Sequence, residues 1–558
     1  MKNMLFQKIV IIAIMAIMAI ATIASAGDTM FFEDWRSEGD DWYWDATTAW
    51  YDSFAVGWFR IPIPGNSDNI YIDDNRTCIF RTNDDLGNPV ASPNVRITYL
   101  GYPASSSVGT GGHLILQAGE YTYTSALGTY LQEMETSIDQ YGGELIGRLT
   151  IGQKHDPAYG HADANATYNL YAGKITANGP VLVASSIPAP GLRCKGTFNI
   201  YGGYVATKEL TVAKADCNGV VNMTGGTVDI RDFTSSGATV LLRVGWPVGV
   251  VKEATFNFGN EESTGLITSS GTSFANMDTC KNVGIFNGWG LVTMSGKITN
   301  NGVVRANGYG IERDLDMSAM AYVANDTDNA VGEDNGWYAV DKGRLALPPV
   351  AVAVGSGSYN WGEAAADTDI DLINSARLTL NAAAAGTLSG KLLDNYRSDV
   401  PGALRATGVW DFAGPALTGN VSVVIRYDEF MAADLGITEA NLKLYHYESN
   451  QWVDVTGSVD TAKKQISGTA GSLGLFSVGI PIDTPINCDE VYKMGQGYPG
   501  DLDGNCAVNF DDLAIFTGQW LMSDPFDPID SDLNSDKTVN LKDLSMIAAD
   551  WLKDNNPE

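Results

Sequence analysis

The stretch FNIYGGYVA, residues 198–206, sets out a grammar: an alternating apolar and polar run, a glycine corner, and a second short run. Successive side chains of an extended chain point to opposite sides, so Phe198 and Ile200 share one face and Asn199 takes the other. Glycine permits the tight corner, because positive φ costs it nothing. The same grammar is written at LILQAGEYT (114–122), YNLYAGKIT (168–176), VNMTGGTVD (221–229) and VTMSGKIT (292–299). A second phrase stands beside several copies, GRLTIG at 147–152 and KELTVA at 208–213. Asn169 and Asn199 are 30 residues apart, and Asn199 and Asn222 are 23 apart. Units of that length, joined by connections of unequal size, suit a solenoid in which each turn buries its apolar face against its neighbours.

The expected fold class is therefore mainly β, with a right-handed parallel β-helix as the principal element within residues 27–340. An ordinary β-sandwich with chance likeness between segments is the alternative. The repeats loosely resemble the strand-and-glycine repeats of pectin-lyase-like and autotransporter-like surface proteins over most of residues 60–310. Ahead of them, residues 34–73 are dense in Trp and Tyr. They are read as an aromatic N-terminal cap, since an open solenoid end exposes unpaired strand edges. A sugar-stacking platform is their other use.

The grammar changes at LALPPVAVAVG (345–355), where Pro348 and Pro349 mark a boundary. Alternation returns in NVSVVIRYD (420–428), NLKLYHYESNQWVDV (441–455) and KQISGTAGSLGLFSVGIP (464–481), with a short helix expected near 428–437. The runs on either side of Glu448-Ser449-Asn450 read as a β-hairpin. Residues 345–480 are thus expected to form a β-sandwich, and 481–487, with two prolines, a stiff linker out of it.

The chain closes on two nearly identical lines, DLDGNCAVNFDDL from 501 and DLNSDKTVNLKDL from 532. Set against the twelve-position calcium loop, the first places Asp501, Asp503, Asn505, Ala507 (through its carbonyl), Asn509 and Asp512 at the ligand positions. The second places Asp532, Asn534, Asp536, Thr538 (through its carbonyl), Asn540 and Asp543 there. Calcium takes six to eight hard oxygens in a flexible cage, so about two ions are the expected cofactor. Val508 and Val539 are expected to tie the loops together by a short β contact. Each loop then opens a helix, with Leu513, Phe516, Trp520 and Leu521 on one apolar face and Leu544, Ile547, Trp551 and Leu552 on the other.

Loop then helix, twice, resembles the type I dockerin family over residues 488–553. That resemblance implies a small calcium-dependent module that binds a cohesin-type protein domain and attaches its chain to a scaffold or cell surface. Two departures stand out. The position usually held by glycine is Cys506 in one loop and Lys537 in the other, which predicts weaker calcium binding. The positions that often carry hydroxyl side chains for cohesin contact are Phe510-Asp511 and Leu541-Lys542, so partner specificity does not carry over.

Residues 1–26 combine Lys2 and Lys8, an apolar run and an Ala-Ser-Ala exit, the pattern of a secretory signal peptide. The expected location is extracellular, secreted or surface-associated, with no membrane insertion after signal removal. The net charge of −31 disfavours nucleic acid as a partner. Residues 488–558 hold 15 acidic side chains against 4 lysines, a local demand for cations. In an oxidising compartment, Cys194 is expected to bridge to Cys217 and Cys488 to Cys506. Cys78 and Cys280 have no evident partner.

Signs of catalysis are few. Asp229 and Arg231 share a strand face beside Asp232, which suits either a substrate contact or a surface ion pair. His155 and His161 lack a third metal ligand. The expected function is a secreted modular protein docked through calcium, its β-helix structural or carbohydrate-associated. The alternative is a dockerin-borne polysaccharide lyase or glycoside hydrolase with its site on the β-helix face, acting in polysaccharide catabolism. Polysaccharide is accordingly the second candidate partner.

Overall fold

A computed structural model describes residues 136–557 apart from 155–163, 187–193, 215–216, 231–240, 246–252, 260–265, 269–283, 294–296, 300–301, 320–321, 325–335, 363–369, 403 and 524–528, and ahead of them six strands between residues 32 and 131. The protein is mainly β and has several sheets, parallel ones among them. The expected signal peptide, most of the aromatic stretch 34–73, His155, His161, Arg231, Asp232 and Cys280 lie outside the described residues. The chain divides into two compact units, residues 1–309 with 313–339 and residues 310–312 with 340–558.

In the first unit the chain alternates between parallel ladders. One ladder runs from Arg76–Phe80 through Gly112–Leu116, Thr136–Gln140, Ala164–Leu170, Cys194–Ile200, Cys217–Met223, Glu253–Phe258 and Gly284–Gly288 to Val303–Asn307, each strand pairing with the next. The other includes Lys174–Ser186, Tyr204–Lys214 and Thr227–Ile230. Asn169 lies opposite Asn199, and Asn199 opposite Asn222, so connections of unequal length leave the register intact. Tyr168, Leu170, Phe198, Ile200, Val221 and Met223 are fully buried, one apolar rung above another. The corner glycine is required by the turn beneath it. Gly173 and Gly203 have φ of 91° and 79°, and a Cβ there would lie 2.5 or 2.6 Å from the carbonyl oxygen of the preceding corner's glycine.

The structure corrects the repeat boundaries. TFNFG (255–259) and IFNGW (285–289) continue the ladder, with Asn257 opposite Asn222 and Asn287 opposite Asn257. The stretch 292–299, expected to be a fifth copy, is divided. Its start, in Gly290–Thr293, joins the other parallel ladder, and Lys297–Thr299 pairs with Tyr322–Ala324. An apolar residue followed by asparagine marks this strand better than the glycine after it.

The asparagines explain that mark. Asn307 Nδ2 donates to Asn287 Oδ1 at 3.3 Å and Asn287 to Asn257 at 3.1 Å. Asn257, Asn222 and Asn199 each donate to the preceding asparagine at 2.8 Å, and Asn169 donates to Asp139 at 2.7 Å. Every amide points the same way, so the carboxylate stands at the donor end of an aligned row of dipoles, as an anion does at a helix N-terminus. Burial pushes the Asp139 carboxyl up, but its bonds to His113 and Asn169 outweigh this and hold it below the ordinary carboxylate range.

Cys194 and Cys217 are register partners on adjacent strands, and their sulfurs are bonded, with Cα atoms 4.8 Å apart. Closing a loop of this size restricts the unfolded chain by about 3 kcal/mol. Replacing both cysteines with alanine should lower the stability of the first unit by up to about 3 kcal/mol, seen as a lower urea midpoint. Reductant should reproduce the shift in the parent and leave the variant unmoved; a parent indifferent to reductant would sink the assignment.

The second unit contains two antiparallel sheets. One orders Gly355–Trp361, Ala376–Ala382, Val421–Arg426, Gln465–Ala470 and Thr456–Asp460. The other orders Gly386–Leu393, Leu404–Ala413, Leu475–Pro481, Lys443–Glu448 and Gln451–Asp454. They meet through aromatic side chains, Trp361 of the first lying 5.7 Å from Phe412 of the second between ring centroids. Ser449 and Asn450 close the hairpin with φ of 51° and 63°, the mirror-image turn that suits strand twist. The helix α1, Glu429–Asp434, is capped by Asp428, whose side chain accepts from Met431 N at 2.9 Å. Three α-helices follow among the described residues: α2 (Cys488–Lys493), α3 (Phe510–Gly518) and α4 (Leu541–Asp550). No helix among the described residues is long and apolar enough to cross a membrane.

Candidate metal centre

The two closing loops build their helices in the same way. Asn509 and Asn540 are the N-caps of α3 and α4, accepting from Asp511 N at 2.7 Å and from Lys542 N at 2.9 Å. Three residues on, Asp512 and Asp543 reach back to the N-cap backbone at 2.7 and 2.9 Å. Each helix start is thus a reciprocal capping box. Both carboxylates are fully buried. Asp512 also accepts from the backbone of Leu502 and Asp503 at 2.6 and 3.2 Å. A buried carboxylate met mainly by backbone N–H groups is stabilised by dipoles and still lacks a neutralising charge.

In the first loop, Asp501, Asp503 and Asp512 come together, one ligand oxygen from each lying within 4.8 Å of the others. Asp501 accepts from Asn505 N at 3.1 Å and Cys506 N at 2.6 Å, which wraps the loop around it. Burial comes first among the causes that push the Asp503 carboxyl up, with the Asp512 and Asp501 charges adding to it. These three carboxylates offer hard oxygen donors, while the Asn505 side-chain oxygen accepts from Ala507 N at 2.9 Å. Such donors suit calcium better than a soft metal.

The second loop is different. Lys542 Nζ meets Asp536 at 2.8 Å, so a tethered ammonium takes one of the carboxylates. Asn534 Nδ2 donates to Asp543 at 2.8 Å, and the Thr538 carbonyl accepts from Asn540 Nδ2 at 2.8 Å. Asp532 wraps its loop as Asp501 does, accepting from Asp536 N and Lys537 N at 3.1 and 2.6 Å. Among the described residues, the first loop alone gathers three candidate ligands in one cluster. Asn509 and Asn540 face helix termini, a role that the ligand pattern did not anticipate.

Three further expectations are corrected. Val508 and Val539 do not pair with each other. Val508 exchanges backbone hydrogen bonds with Leu552 and Lys553, and Val539 with Leu521 and Met522, each loop binding the end of the other copy's helix. The valines still share one core with Phe516 and Ile547, against which Leu513, Leu544 and Trp551 pack. Leu521 and Leu552 lie past the helix ends at φ of 63° and 60° and are exposed, so the apolar stripes are shorter than expected. Cys506 and Lys537 both adopt φ of 68°. The loops therefore keep the left-handed turn that glycine would take, at a cost of about 1–2 kcal/mol per residue.

Cys488 and Cys506 are both free thiols, and the expected bridge is not formed. Burial and contact with Cys488 push the Cys506 thiol up to about 12. Helix α2 was not anticipated either. It joins the loops to the antiparallel sheets: Arg405 clasps the fully buried Glu490 with two bonds of 2.6 and 2.7 Å. Lys342 meets Asp489 at 2.5 Å, and Lys493 Nζ donates to the Val400 carbonyl at 3.1 Å. From the same helix, the Tyr492 hydroxyl donates to the Asp501 carbonyl at 3.2 Å. In the first unit, Asp229 is nearly buried and accepts the Tyr204 hydroxyl.

No known protein family, curated protein or solved structure matches this chain.

Proposed function

We propose that this is an extracellular modular protein that docks through a calcium-binding, dockerin-like module at residues 488–558 onto a cohesin-type partner. A parallel β-helix in the first unit serves as a stalk or carbohydrate-associated element, and the two antiparallel sheets of the second unit form a β-sandwich that precedes the module in the chain. The observation that carries the reading is the duplicated capped loop, with Asp501, Asp503 and Asp512 clustered in its first copy. Asp501, Asp503, Asn505, Ala507 and Asp512 would hold one ion, and Asp532, Asn534, Asp536, Thr538 and Asp543 the other. When bound, calcium supplies the positive charge that the buried carboxylates lack. The first loop binds more tightly, because Lys542 competes for Asp536 in the second. Phe510 and Leu541, at equivalent positions and mostly exposed, belong to the docking surface.

The full-length chain, immobilised with calcium, should capture a cohesin-type domain from an extracellular fraction and release it in EDTA. Asp501→Ala should weaken capture more than Asp532→Ala, and the double variant should abolish it. Capture that persists in EDTA, or in the double variant, would refute the reading.

A further inference from the structure

Tyr141, Tyr171 and Tyr201 open the corners of three consecutive turns, each following the last inward residue of its strand. Parallel register places equivalent side chains one strand spacing apart, and the three rings stack on one another. Their centroids are 4.6 and 5.0 Å apart, with interplanar angles of 4° and 12°. They remain 52%, 39% and 48% exposed. The series stops at the next corner, where Thr224 takes the equivalent place. Stacking covers the ring faces between neighbours, which are the surfaces a sugar would need. The ring edges carry the hydroxyls and the carbons beside them.

We propose that the stack is a site of oxidative cross-linking, where a haem peroxidase using hydrogen peroxide couples adjacent rings into dityrosine and joins consecutive turns covalently. Each phenol gives up one electron and one proton. The two phenoxyl radicals form a carbon–carbon bond between positions ortho to their hydroxyls. The hydrogens displaced from those carbons return to the oxygens as the rings regain aromaticity. Overall, two phenols lose two hydrogens and one peroxide is reduced to two waters. Radical coupling is ordinarily limited by encounter, and a fixed stack removes that limit. Burial and the Asp139 charge push the Tyr171 hydroxyl up to about 12, so the phenol reaches the oxidant protonated. The Cys194–Cys217 bond joins the strand before Tyr201 to the next turn. Tyrosine coupling would therefore extend an existing covalent link over successive turns.

The test uses dilute full-length protein, a haem peroxidase and hydrogen peroxide. The expected product is monomeric, has dityrosine fluorescence, and yields peptides joining 141 to 171 or 171 to 201 with the loss of two hydrogens. Tyr171→Phe keeps the stack but removes the shared partner, so both linked peptides should disappear. Tyr141→Phe should leave only the 171–201 link. Native protein with no dityrosine, dityrosine confined to other tyrosines, or linkage only between molecules would each overturn the proposal.

Discussion

Calcium added to the metal-free full-length protein should raise the unfolding temperature of the transition that contains residues 488–558 and increase its helical signal. The reason lies in the size and charge of the module. Its core rests on Val508, Phe516, Val539 and Ile547, with a few half-buried neighbours. A core of that size supplies little stability without a metal or another staple. Asp512 and Asp543 are fully buried carboxylates, and Cys506 and Lys537 hold strained backbone. Each term opposes folding of the metal-free state, and bound calcium offsets the electrostatic part. At a thousandfold excess over its dissociation constant, an ion that binds only the folded state adds about 4 kcal/mol per site. Asp501→Ala should remove the larger part of that gain, and Lys542→Met should tighten the weaker site. Calorimetric traces that coincide in calcium and in EDTA would sink this expectation.

Arg405→Met is expected to destabilise the second unit by about 3–5 kcal/mol, the largest effect foreseen for a single substitution. Glu490 is fully buried, and Arg405 meets both of its carboxylate oxygens. Without the guanidinium, the carboxylate keeps a backbone donor, Ile486 N at 2.9 Å, but loses its counter-charge. Replacing both partners removes the stranded charge, so Arg405→Met with Glu490→Leu should recover much of the loss. Because α2 also carries Tyr492 onto the first loop, the single variant should bind calcium less well than its parent. A denaturation midpoint within error of the parent would show that this ion pair does not hold α2 in place. Within 481–487, expected to be a stiff linker, the Thr484 carbonyl accepts from Arg405 at 2.9 Å.

What the sequence determined alone was periodic. Alternation with asparagine on the outer face specified parallel strands, and the spacings of 30 and 23 placed Asn199 against its neighbours and Cys194 against Cys217. The duplicated loops located Asp501, Asp503 and Asp512, because ligand spacing is a local property of one short turn. What tertiary structure decided was pairing between distant segments. Nothing local says that Val508 bonds the end of α4 and Val539 the end of α3. Lys542, six residues from Asp536, meets it from the first turn of α4. Glu490 reads as a solvated acid in the sequence, yet it is buried because Arg405, 85 residues away, completes its charge. A tyrosine at three corners reads as ordinary turn composition until register sets the rings face to face. Repetition is written along the chain, whereas charge compensation and stacking depend on which chains folding brings side by side.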